Sequence, residues 1–395
     1  MTLRLANLER MRDGLHDVLI VGAGINGAVS AAALAGRGAS VALIDRGDFG
    51  SFTSQESSNL VWGGFKYLEN YEFPLVFNLC RSRNRLMKAY PDNMKEISFL
   101  AALDRSAPYP PWFAGLGALG YWIIGQFGTK PPKLYNAERI KQEEPAIETR
   151  AVRGGIQYQD AYLIDNDSRF VFSFVRSAIE AGASVANYVE LVSAERQGDR
   201  WVATLRNVDT GEEFTTSARA IVNAAGPFVD ETNRGWGMAT DHRIVYSKGI
   251  HLIVPRLTTK HHDKVLAFYD DTERLFYVIP MGRRSVIGTT DTRVDTPFTE
   301  VNDDDIDFLL GQINARMDLD KPLDRGDIID SRTGVRPLVV ATDGGDQKDV
   351  DWTKLSRRHA VETDHRQRVV TIFGGKLTDC LNVGEEVAAE IEDLG

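Results

Sequence analysis

Residues 17–45 constrain the fold of this chain more than any other feature of its sequence. An apolar run, Val18 to Val21, predicts a buried parallel strand, and it ends at the glycine-rich turn Gly22-Ala23-Gly24-Ile25-Asn26-Gly27. An alanine-rich helix follows, which we expect to end near Arg37, and a second apolar run from Ser40 to Ile44 predicts the next strand. A strand, a tight turn, a helix and a strand in this order predict an α/β protein with a parallel, doubly wound sheet.

Each glycine of the turn has a separate task in a unit of this kind. Gly22 allows the sharp turn, Gly24 lets the backbone approach a pyrophosphate, and Gly27 lets the helix pack closely on its strand. The N–H groups at the start of the helix then bind the anion. Asp45 lies roughly 20 residues beyond the glycines, where a ribose-binding carboxylate is expected, and an acid there favours FAD or NAD over NADP. A glycine-rich turn alone also occurs where nothing binds, but the flanking strands and the acid together predict a dinucleotide site.

Length and charge set broad limits on the function. At 395 residues the chain is long enough for two domains. Its net charge of -10 argues against a general nucleic-acid-binding protein but allows a locally basic pocket. Cys80 and Cys380 match no metal-binding spacing, so we expect no metal, and they indicate a reducing compartment. Because the first 17 residues are charged throughout and lack the apolar core of a signal peptide, we expect a cytoplasmic protein.

The segment from Arg46 to Glu69 is rich in Gly, Ser and Thr. A loop with so many hydroxyls and backbone donors suits the phosphates and the polar chain of a larger cofactor, whereas a flexible loop is the plainer interpretation. Three motifs favour the cofactor: GAGINGA at Gly22–Ala28, TSQESSNL at Thr53–Leu60 and GGFKYLE at Gly63–Glu69. In this order they resemble the FAD-dependent glycerol-3-phosphate dehydrogenases.

The resemblance extends over nearly the whole chain and implies FAD as the cofactor. It implies a Rossmann-like FAD-binding domain of the glutathione-reductase/D-amino-acid-oxidase type, interrupted by a mainly antiparallel substrate-binding sheet. The FAD-binding domain would comprise residues 15–70, 150–240 and 334–395, and the substrate-binding domain residues 71–149 and 241–333. The cofactor-binding residues implied by the matching segments are Gly22, Ala23, Gly24, Asn26, Gly27, Asp45, Arg46, Thr53, Ser54, Ser58, Gly63, Gly64, Val189, Ala225, Gly226, Gly374, Gly375, Leu377 and Thr378.

The same resemblance places two sets of side chains at the substrate. The catalytic set would be Arg336, His251 and Lys376, and the substrate-binding set Lys66, Tyr67, Arg274 and Arg357. These charges are consistent with a phosphomonoester, which carries close to two negative charges and needs several cationic donors to replace its hydration. The same cations would stabilise an alkoxide that develops as hydride leaves for flavin N5.

Some members of these sets have plainer explanations. Lys66 and Arg357 also fit solvated surface charges, and His251 also fits a histidine satisfied in the core. Arg336 is harder to explain structurally, because an arginine between apolar residues and a proline in GVRPL needs an anion beside it. The helix expected after Gly374-Gly375-Lys376 would direct its N-terminus at the flavin, where positive potential stabilises the reduced, anionic form.

Two helices are predicted in the first half of the chain. One runs from Tyr71 to Tyr90, with Arg81, Arg83 and Arg85 on a solvated face. The other lies in an uncharged stretch, from Trp112 to Phe127. Prolines and glycines weaken a transmembrane interpretation of that stretch, so we expect a buried helix, with an interfacial helix as the alternative.

The second half changes from helix-separated strands to closely spaced ones. Arg153 to Arg169 resembles a family segment that returns the chain to the cofactor domain, and a hairpin around Asp209-Thr210-Gly211 and another buried strand, Ala218 to Ala225, are expected beyond it. Between about Arg243 and Arg336 the spacing predicts the antiparallel sheet, followed by a helix from Asp303 to Arg316.

Two departures from the family pattern bear on the substrate. Trp62 and Lys66 stand where the family usually has His and Arg, which weakens one phosphate fork and reshapes the pocket beside the flavin. Family members also commonly continue into a helical domain beyond the position of Gly395, which leaves the substrate and the electron acceptor open.

The resemblance therefore implies oxidation of sn-glycerol 3-phosphate to dihydroxyacetone phosphate by hydride transfer to flavin N5. It also implies that a quinone or other acceptor takes the electrons, and we expect at most peripheral contact with the inner face of the cell membrane. One alternative is a flavin enzyme for another polyol phosphate or a 2-hydroxy acid, or an oxygen-using oxidase. Another is a module that holds the nucleotide without turnover, against which the retained Arg336 and Lys376 argue.

Overall fold

The computed structural model describes residues 2–258, 264–342 and 358–395. The strands in chain order are β1 (Leu15–Val21), β2 (Val41–Ile44), β3 (Leu60–Val61), β4 (Met94–Leu103), β5 (Lys133–Tyr135), β6 (Gly154–Leu163), β7 (Ser184–Ala186), β8 (Val189–Gln197), β9 (Arg200–Asn207), β10 (Glu213–Asn223), β11 (His242–Pro255), β12 (Lys264–Tyr269), β13 (Leu275–Met281), β14 (Arg284–Gly288), β15 (Thr292–Val294), β16 (Asp330–Ala341), β17 (Ala360–Asp364) and β18 (Val369–Phe373). The helices are α1 (Leu3–Met11), α2 (Ile25–Gly36), α3 (Phe73–Ala89), α4 (Pro111–Ile124), α5 (Ala137–Glu143), α6 (Asp167–Glu180), α7 (Val229–Gly235), α8 (Asp303–Arg316) and α9 (Cys380–Asp393).

The first sheet contains the predicted βαβ unit. Strands β7, β2, β1, β10 and β18 lie side by side in that order and run parallel. The central strand β1 buries Leu19 and Ile20 completely, and all residues of β2 are buried, as parallel strands covered on both faces require. The doubly wound α/β arrangement predicted from the sequence is therefore present.

Helices cover one face of this sheet, and a hairpin with a further helix covers the other. On the first face α2, α6 and α9 pack together through small and branched side chains such as Ala28, Val175 and Val387. On the second face α1 and the β8–β9 hairpin bury Met11 and Trp201 against the strands. The alanine-rich composition of α2 allows this close approach of helix to sheet.

One strand of the first sheet is longer than expected. The hairpin around Asp209-Thr210-Gly211 is confirmed, but Ala218 to Ala225 does not form another strand. Instead β10 runs from Glu213 to Asn223 without interruption, antiparallel to β9 in its first half and parallel to β1 from Ser217 onward. Near the hairpin the residues of β10 alternate between exposed and buried, whereas its last four residues, Ala220 to Asn223, are all buried beside β1. One strand therefore shows two different sequence patterns.

The second sheet is mainly antiparallel, as predicted. Its order is β15-β11-β14-β13-β12-β4-β6-β3, with β16 paired to β11 and β5 to β6. Within the described part of this second sheet, β4 and β12 form the only parallel pair. Helix α8 begins at Asp303 and ends at Arg316, as expected, because Asn302 and Asp305 form a capping box at its N-terminus.

Strand β6 lies in the second sheet, although the sequence analysis placed Arg153 to Arg169 with the cofactor domain. All ten residues of β6 are buried, and it pairs with β4 over its whole length. The chain returns to the first sheet only at α6. The exact division of the chain into two domains stays a prediction.

Helix α4 is exposed on one side, so the expectation of a buried helix is wrong. Within it only Ala118 and Tyr121 are buried, whereas Trp112, Leu116 and Ile123 are 61%, 58% and 51% exposed. Among the described residues, no helix is both long enough and apolar enough to cross a membrane. The interfacial alternative for α4 remains.

Helix α3 carries a buried arginine where a solvated face was expected. Arg81 is exposed and Arg85 partly exposed, but the Arg83 side chain is 1% exposed and its Nη1 lies 2.7 Å from Oδ1 of Asp160 on β6. Asp160 also accepts hydrogen bonds from Tyr121 Oη at 2.8 Å and from the Gly63 backbone N–H at 3.0 Å. Burial raises the pKa of Asp160, and the Arg83 charge opposes that shift. The prediction for Arg83 is therefore wrong.

We expect Arg83→Met to destabilise the protein strongly, because it leaves the Asp160 carboxylate buried without its cation. The free energy of unfolding, measured by urea denaturation at neutral pH, should fall by about 3–5 kcal/mol. Arg85→Met on the same helix is the matched control, since its pair with Glu385 is 38% and 53% exposed and should contribute less than about 1 kcal/mol. Equal losses in the two variants would contradict this account.

Candidate active site

A cavity of about 920 Å³ lies at the carboxyl ends of the parallel strands. Ligands of open α/β sheets bind at this edge. The predicted cofactor residues that line the cavity are Gly22, Gly24, Asn26, Asp45, Arg46, Thr53, Ser54, Val189, Ala225, Gly226, Gly374 and Gly375. Segments that are far apart in the sequence thus meet at one site, on the sheet that carries the glycine-rich turn.

The glycine-rich turn leaves space that side chains would fill. Gly22 has a φ of 100°, and a Cβ there would lie 2.5 Å from the Ala224 carbonyl oxygen. A Cβ on Gly24 would lie 3.1 Å from Ser54 Oγ, and that oxygen accepts a hydrogen bond from the Ile25 N–H at 3.0 Å. The cavity wall at the start of α2 is therefore backbone, which suits close approach of a pyrophosphate to the helix N-terminus.

Asp45 connects the end of β2 to this turn. Its carboxylate accepts hydrogen bonds from the Ala23 N–H at 2.6 Å and the Gly47 N–H at 2.8 Å, and burial raises its pKa. A carboxylate has about four acceptor sites, so two bonds leave capacity for ribose hydroxyls. Beside it, the Arg46 guanidinium lies 4.0 Å from the centre of the Phe228 ring, a cation–π contact on the cavity wall.

Asn26 provides a separate test of whether a cofactor fits. Its Nδ2 donates to the Gly374 carbonyl at 2.8 Å, but within the described part of the chain its buried Oδ1 accepts no hydrogen bond. Gly374 and Gly375, both with positive φ, bring the backbone close to this amide. A buried acceptor in a cavity wall needs a donor, and a bound dinucleotide would supply one.

Seven predicted cofactor residues do not line this cavity in the described structure: Ala23, Gly27, Ser58, Gly63, Gly64, Leu377 and Thr378. Three of them pack or bond nearby. A Cβ on Gly27 would lie 1.8 Å from the Gly22 carbonyl oxygen, and one on Gly63 would lie 2.2 Å from Tyr121 Oη. Thr378 Oγ1 donates to the Trp62 carbonyl at 3.2 Å. Their roles toward the cofactor stay predictions.

Lys376 and Tyr67, which the sequence predicts at the substrate, lie in contact. Lys376 Nζ hydrogen-bonds Tyr67 Oη and lies 3.9 Å from the centre of the Tyr67 ring and 6.0 Å from that of Trp62. The two rings are 5.6 Å apart. Lys66, which precedes Tyr67 in the chain, is partly buried. Burial lowers the pKa of Lys66, the Glu69 charge raises it, and the Arg274 charge lowers it further.

Arg336 and Arg274 converge on a residue that the sequence analysis did not select, Asp291. Arg336 Nη1 lies 3.4 Å from Asp291 Oδ1, and Arg274 Nη2 forms an ion pair with Asp291 Oδ2. Arg336 also donates from Nη2 to Thr289 Oγ1 at 2.7 Å. Space for this guanidinium depends on Gly249, where a Cβ would lie 2.2 Å from Nη2. The anion that GVRPL requires is thus present within the chain.

His251 is buried on β11, close to Arg336. Burial lowers its pKa to about 3, and the charges of Arg336 and Arg332 act in the same direction. The ring is therefore neutral at physiological pH, and its Nε2 lies 2.9 Å from Ser58 Oγ. A neutral imidazole with one nitrogen at a hydroxyl is able to accept a proton.

Comparison with known proteins decides the family. A model of the family described as FAD dependent oxidoreductase matches residues 17–379. The chain belongs to this family. Aerobic glycerol-3-phosphate dehydrogenase of Escherichia coli strain K12 is 30% identical over 385 residues, which cover 95% of this chain and 73% of that protein. D-erythritol 1-phosphate dehydrogenase of Brucella abortus strain 2308 is 31% identical over 379 residues, which cover 93% and 72%.

A solved structure agrees with the fold of this FAD-dependent oxidoreductase. Glycerol-3-phosphate dehydrogenase from Bacillus halodurans, complexed with FAD, has a TM-score of 0.76 at 22% identity, covering 99% of this chain and 67% of that one. The predicted fold class, the cofactor FAD and the resemblance to glycerol-3-phosphate dehydrogenases are confirmed.

Sequence reasoning missed Asp291 and Gly249 as neighbours of Arg336 in the candidate site. A signal was present, because both belong to short segments, Lys248–His251 and Gly288–Asp291, that resemble the family. Their importance follows only from the pairing of β11 with β16, which brings Arg336 beside them. Arg357, predicted to bind the substrate, lies outside the described residues.

We expect Gly24→Val to abolish FAD binding, because a branched side chain would occupy the space between the helix N-terminus and Ser54. The measurement is the flavin-to-protein ratio of the purified variant, read from its visible spectrum. Gly36→Val at the other end of α2 is the matched control, since a Cβ there meets no described atom within 4 Å. A Gly24→Val protein that stays fully yellow would disprove the assignment of this turn.

Proposed function

We propose that the chain oxidises the secondary hydroxyl of sn-glycerol 3-phosphate to the ketone, giving dihydroxyacetone phosphate. The observation that carries the proposal is a group of four cations that would surround one substrate pocket in a protein of net charge -10. Arg274 and Arg336 meet at Asp291, and the charges of Arg274 and Asp291 act on Lys66. Lys376 contacts Tyr67, which follows Lys66 in the chain. Arg336 directly precedes Pro337 and Lys376 directly follows Gly375, and both neighbours line the FAD cavity. The relatives named glycerol-3-phosphate dehydrogenase support the same substrate.

The phosphate of the substrate is held by the cations of this pocket. A phosphomonoester loses strong hydration when it binds, and guanidinium forks replace it with charge-assisted hydrogen bonds. Arg336 and Arg274 are 31% and 33% exposed at their side chains, so both guanidiniums are reachable by a ligand. Lys66 and Lys376 add point charges near the aromatic side chains of the pocket.

His251, Arg336 and Lys376 are the residues that accept the substrate's hydroxyl proton and stabilise the negative charge that develops on its oxygen. FAD, which the cavity lining at Gly22, Gly24 and Asp45 would hold, would supply the hydride acceptor. Burial keeps His251 neutral by lowering its pKa, and the charges of Arg336 and Arg332 lower it further. A dianion bound beside Arg336 offsets the charge repulsion, though not the burial, and so helps the ring to take the hydroxyl proton. Arg336 then stabilises the alkoxide, and Lys376, held against Tyr67, keeps a positive charge at the flavin side of the pocket.

Trp62 and Lys66 favour a second candidate substrate, a longer polyol phosphate. They replace the family's usual His and Arg in the pocket wall, and one relative of comparable identity is named D-erythritol 1-phosphate dehydrogenase. Kinetic assays therefore include this compound. A 2-hydroxy acid substrate, oxygen as acceptor and nucleotide binding without turnover are the outcomes that would contradict a phosphate dehydrogenase.

We also propose that electrons pass to a quinone and that α4 provides a peripheral membrane contact. The outer face of α4 exposes Trp112, Leu116 and Ile123, and residues 106–129 carry no charge. Exposed Arg105, Lys130 and Lys133 lie at the two ends of this stretch, where they complement anionic headgroups. An apolar face with a basic rim is typical of helices that lie in the membrane interface.

We expect purified holoprotein to sediment with vesicles that contain anionic lipid and to be released by carbonate. Leu116→Glu with Ile123→Glu should reduce the bound fraction roughly tenfold or more, because each leucine-sized side chain contributes about 1.5–3 kcal/mol on burial. Ile329→Glu, at an exposed isoleucine outside α4, is the matched control. Equal binding by the two variants would exclude α4, and carbonate resistance would contradict peripheral attachment.

We expect Arg336→Ala to lower kcat/KM for glycerol 3-phosphate. The fall should correspond to a loss of roughly 3–5 kcal/mol of transition-state stabilisation, the range for removal of one partner of a charge pair. Lys66→Ala should cost less, and Lys66→Arg should tighten binding by forming a bidentate phosphate contact. The measurement is the ratio of kcat/KM for glycerol 3-phosphate over glycerol and over lactate, with D-erythritol 1-phosphate as a further substrate. Arg81→Ala, an exposed arginine on α3, is the control.

Two results would overturn the phosphate substrate. The first is a wild type that prefers lactate or glycerate. The second is a Lys66→Arg variant with an unchanged ratio together with an Arg336→Ala variant that affects all substrates alike. Either would make the 2-hydroxy acid the better substrate class. Bleaching of the bound flavin by substrate under anaerobic conditions separates turnover from binding alone.

A further inference from the structure

One carboxylate joins the two arginines of the candidate site. Asp291 follows β14 at the end of Gly288–Asp291, and its side chain is 12% exposed. Oδ1 accepts from Ser247 Oγ and lies 3.4 Å from Arg336 Nη1, whereas Oδ2 pairs with Arg274 Nη2. The Asp291 backbone carbonyl accepts a further bond from Arg274 Nη1 at 2.9 Å. Both oxygens and the backbone of one residue are thus used to hold two guanidiniums.

The two arginines come from different parts of the second sheet and have no common element to fix their spacing. Arg336 projects from β16, opposite Ser247 of β11, and Arg274 immediately precedes β13. Two guanidiniums that contact the same carboxylate repel each other, and this repulsion is larger where water is excluded. A carboxylate between them offsets this repulsion and keeps both forks in one geometry. The spacing of the arginines therefore depends on Asp291.

The same carboxylate sets a condition on any anion that binds. Asp291 repels both a carboxylate and a phosphomonoester, and the dianion more strongly, so its charge alone does not favour the phosphate. The preference comes from the fixed spacing of the two forks, because a carboxylate has two oxygens whereas a phosphomonoester has three terminal oxygens that accept charge-assisted bonds from both forks at once. A ligand that leaves one fork unfilled binds less well, which is a general route to specificity.

We propose that Asp291 is a specificity-determining positioning residue, whose carboxylate fixes the Arg274 and Arg336 guanidiniums and selects phosphomonoesters over carboxylates. This inference rests on the proposed function, since it concerns the substrate class of the same site. Asp291 acts through the two arginines and takes no part in proton or hydride transfer.

The test compares Asp291→Asn with wild-type holoenzyme at constant ionic strength. The first readout is the ratio of kcat/KM for glycerol 3-phosphate over glycerate, which has the same three-carbon skeleton with a carboxylate. The second is the change in flavin absorption on titration with inorganic phosphate and with acetate. We expect the kinetic ratio to fall about tenfold, acetate to bind more tightly, and kcat for glycerol 3-phosphate to fall as the arginines lose their fixed spacing.

Two further variants separate specificity from a structural role. Asp291→Glu keeps the charge, so it should lower kcat but retain most of the ratio. Asp305→Asn is the matched control, because Asp305 pairs at 2.5 Å with Lys248 in the same part of the fold and the described contacts join it to neither arginine. It should lower the thermal midpoint and leave both readouts unchanged.

The outcomes distinguish this inference from the proposed function. A wild type that does not oxidise glycerol 3-phosphate overturns the proposed function whatever the variants do. A wild type that does, with a ratio and acetate affinity unchanged in Asp291→Asn, overturns the role of Asp291 alone. If the Asp291→Asn protein does not retain flavin, the kinetic ratio of the Ser247→Ala variant tests the inference instead. This substitution removes the hydroxyl's bonds to Asp291 and to Arg336 but no charge, and its ratio should fall about threefold; an unchanged ratio overturns the inference.

Discussion

The loop that carries Lys66 and Tyr67 in the candidate site is held in place through the fully buried carboxylate of Asp160. Three donors meet it: the Arg83 guanidinium from α3, the Tyr121 hydroxyl from α4 and the Gly63 N–H from the loop after β3. Removing this acid from water is expensive, and only the cation together with the two hydrogen bonds offsets that cost. The loop that begins at Gly63 is thereby fixed to two helices, and this loop carries Lys66 and Tyr67 toward Lys376. The position of the substrate side of the candidate site therefore depends on the side chains of Arg83, Tyr121 and Asp160, which do not line the cofactor cavity.

The two sheets contribute different kinds of recognition. The parallel sheet builds its cavity largely from backbone: the turn at Gly22, the N-terminus of α2, and the glycines after β18. Backbone N–H groups bind phosphate oxygens whatever the neighbouring side chains are. The antiparallel sheet instead delivers side chains, with Arg336 from β16, His251 from β11 and Arg274 before β13. A dinucleotide site of the first kind is shared by a large family, whereas the second kind determines which substrate an individual member oxidises.

This difference explains how far the sequence alone could predict the structure. The βαβ unit, the β9–β10 hairpin and α8 were predicted because each is formed by neighbouring residues, whose turns, caps and periodicity are visible in the sequence. Arg83 was misplaced because its partner, Asp160, is 77 positions away in the sequence. An amphipathic helix pattern assigns charged residues to the solvent face and does not reveal such a partner. Asp291 was missed for the same reason, since its contacts are with Arg336 on β16 and with Arg274 just before β13. The exposed face of α4 was missed because apolar composition predicts burial in the core and in the membrane interface equally.

The charge distribution around the pocket reverses that of the whole protein. A molecule of net charge -10 repels an anionic substrate at long range, yet the Debye length is only about 8 Å at physiological ionic strength. Beyond that distance the surface carboxylates are largely screened, so the field felt by an approaching phosphate is that of the pocket itself. There Lys66, Arg274 and Arg336 place three positive charges around the single carboxylate of Asp291, so the balance of these four charges is positive. A small dianion that reaches this group therefore meets more cations than carboxylates, although the protein as a whole is acidic.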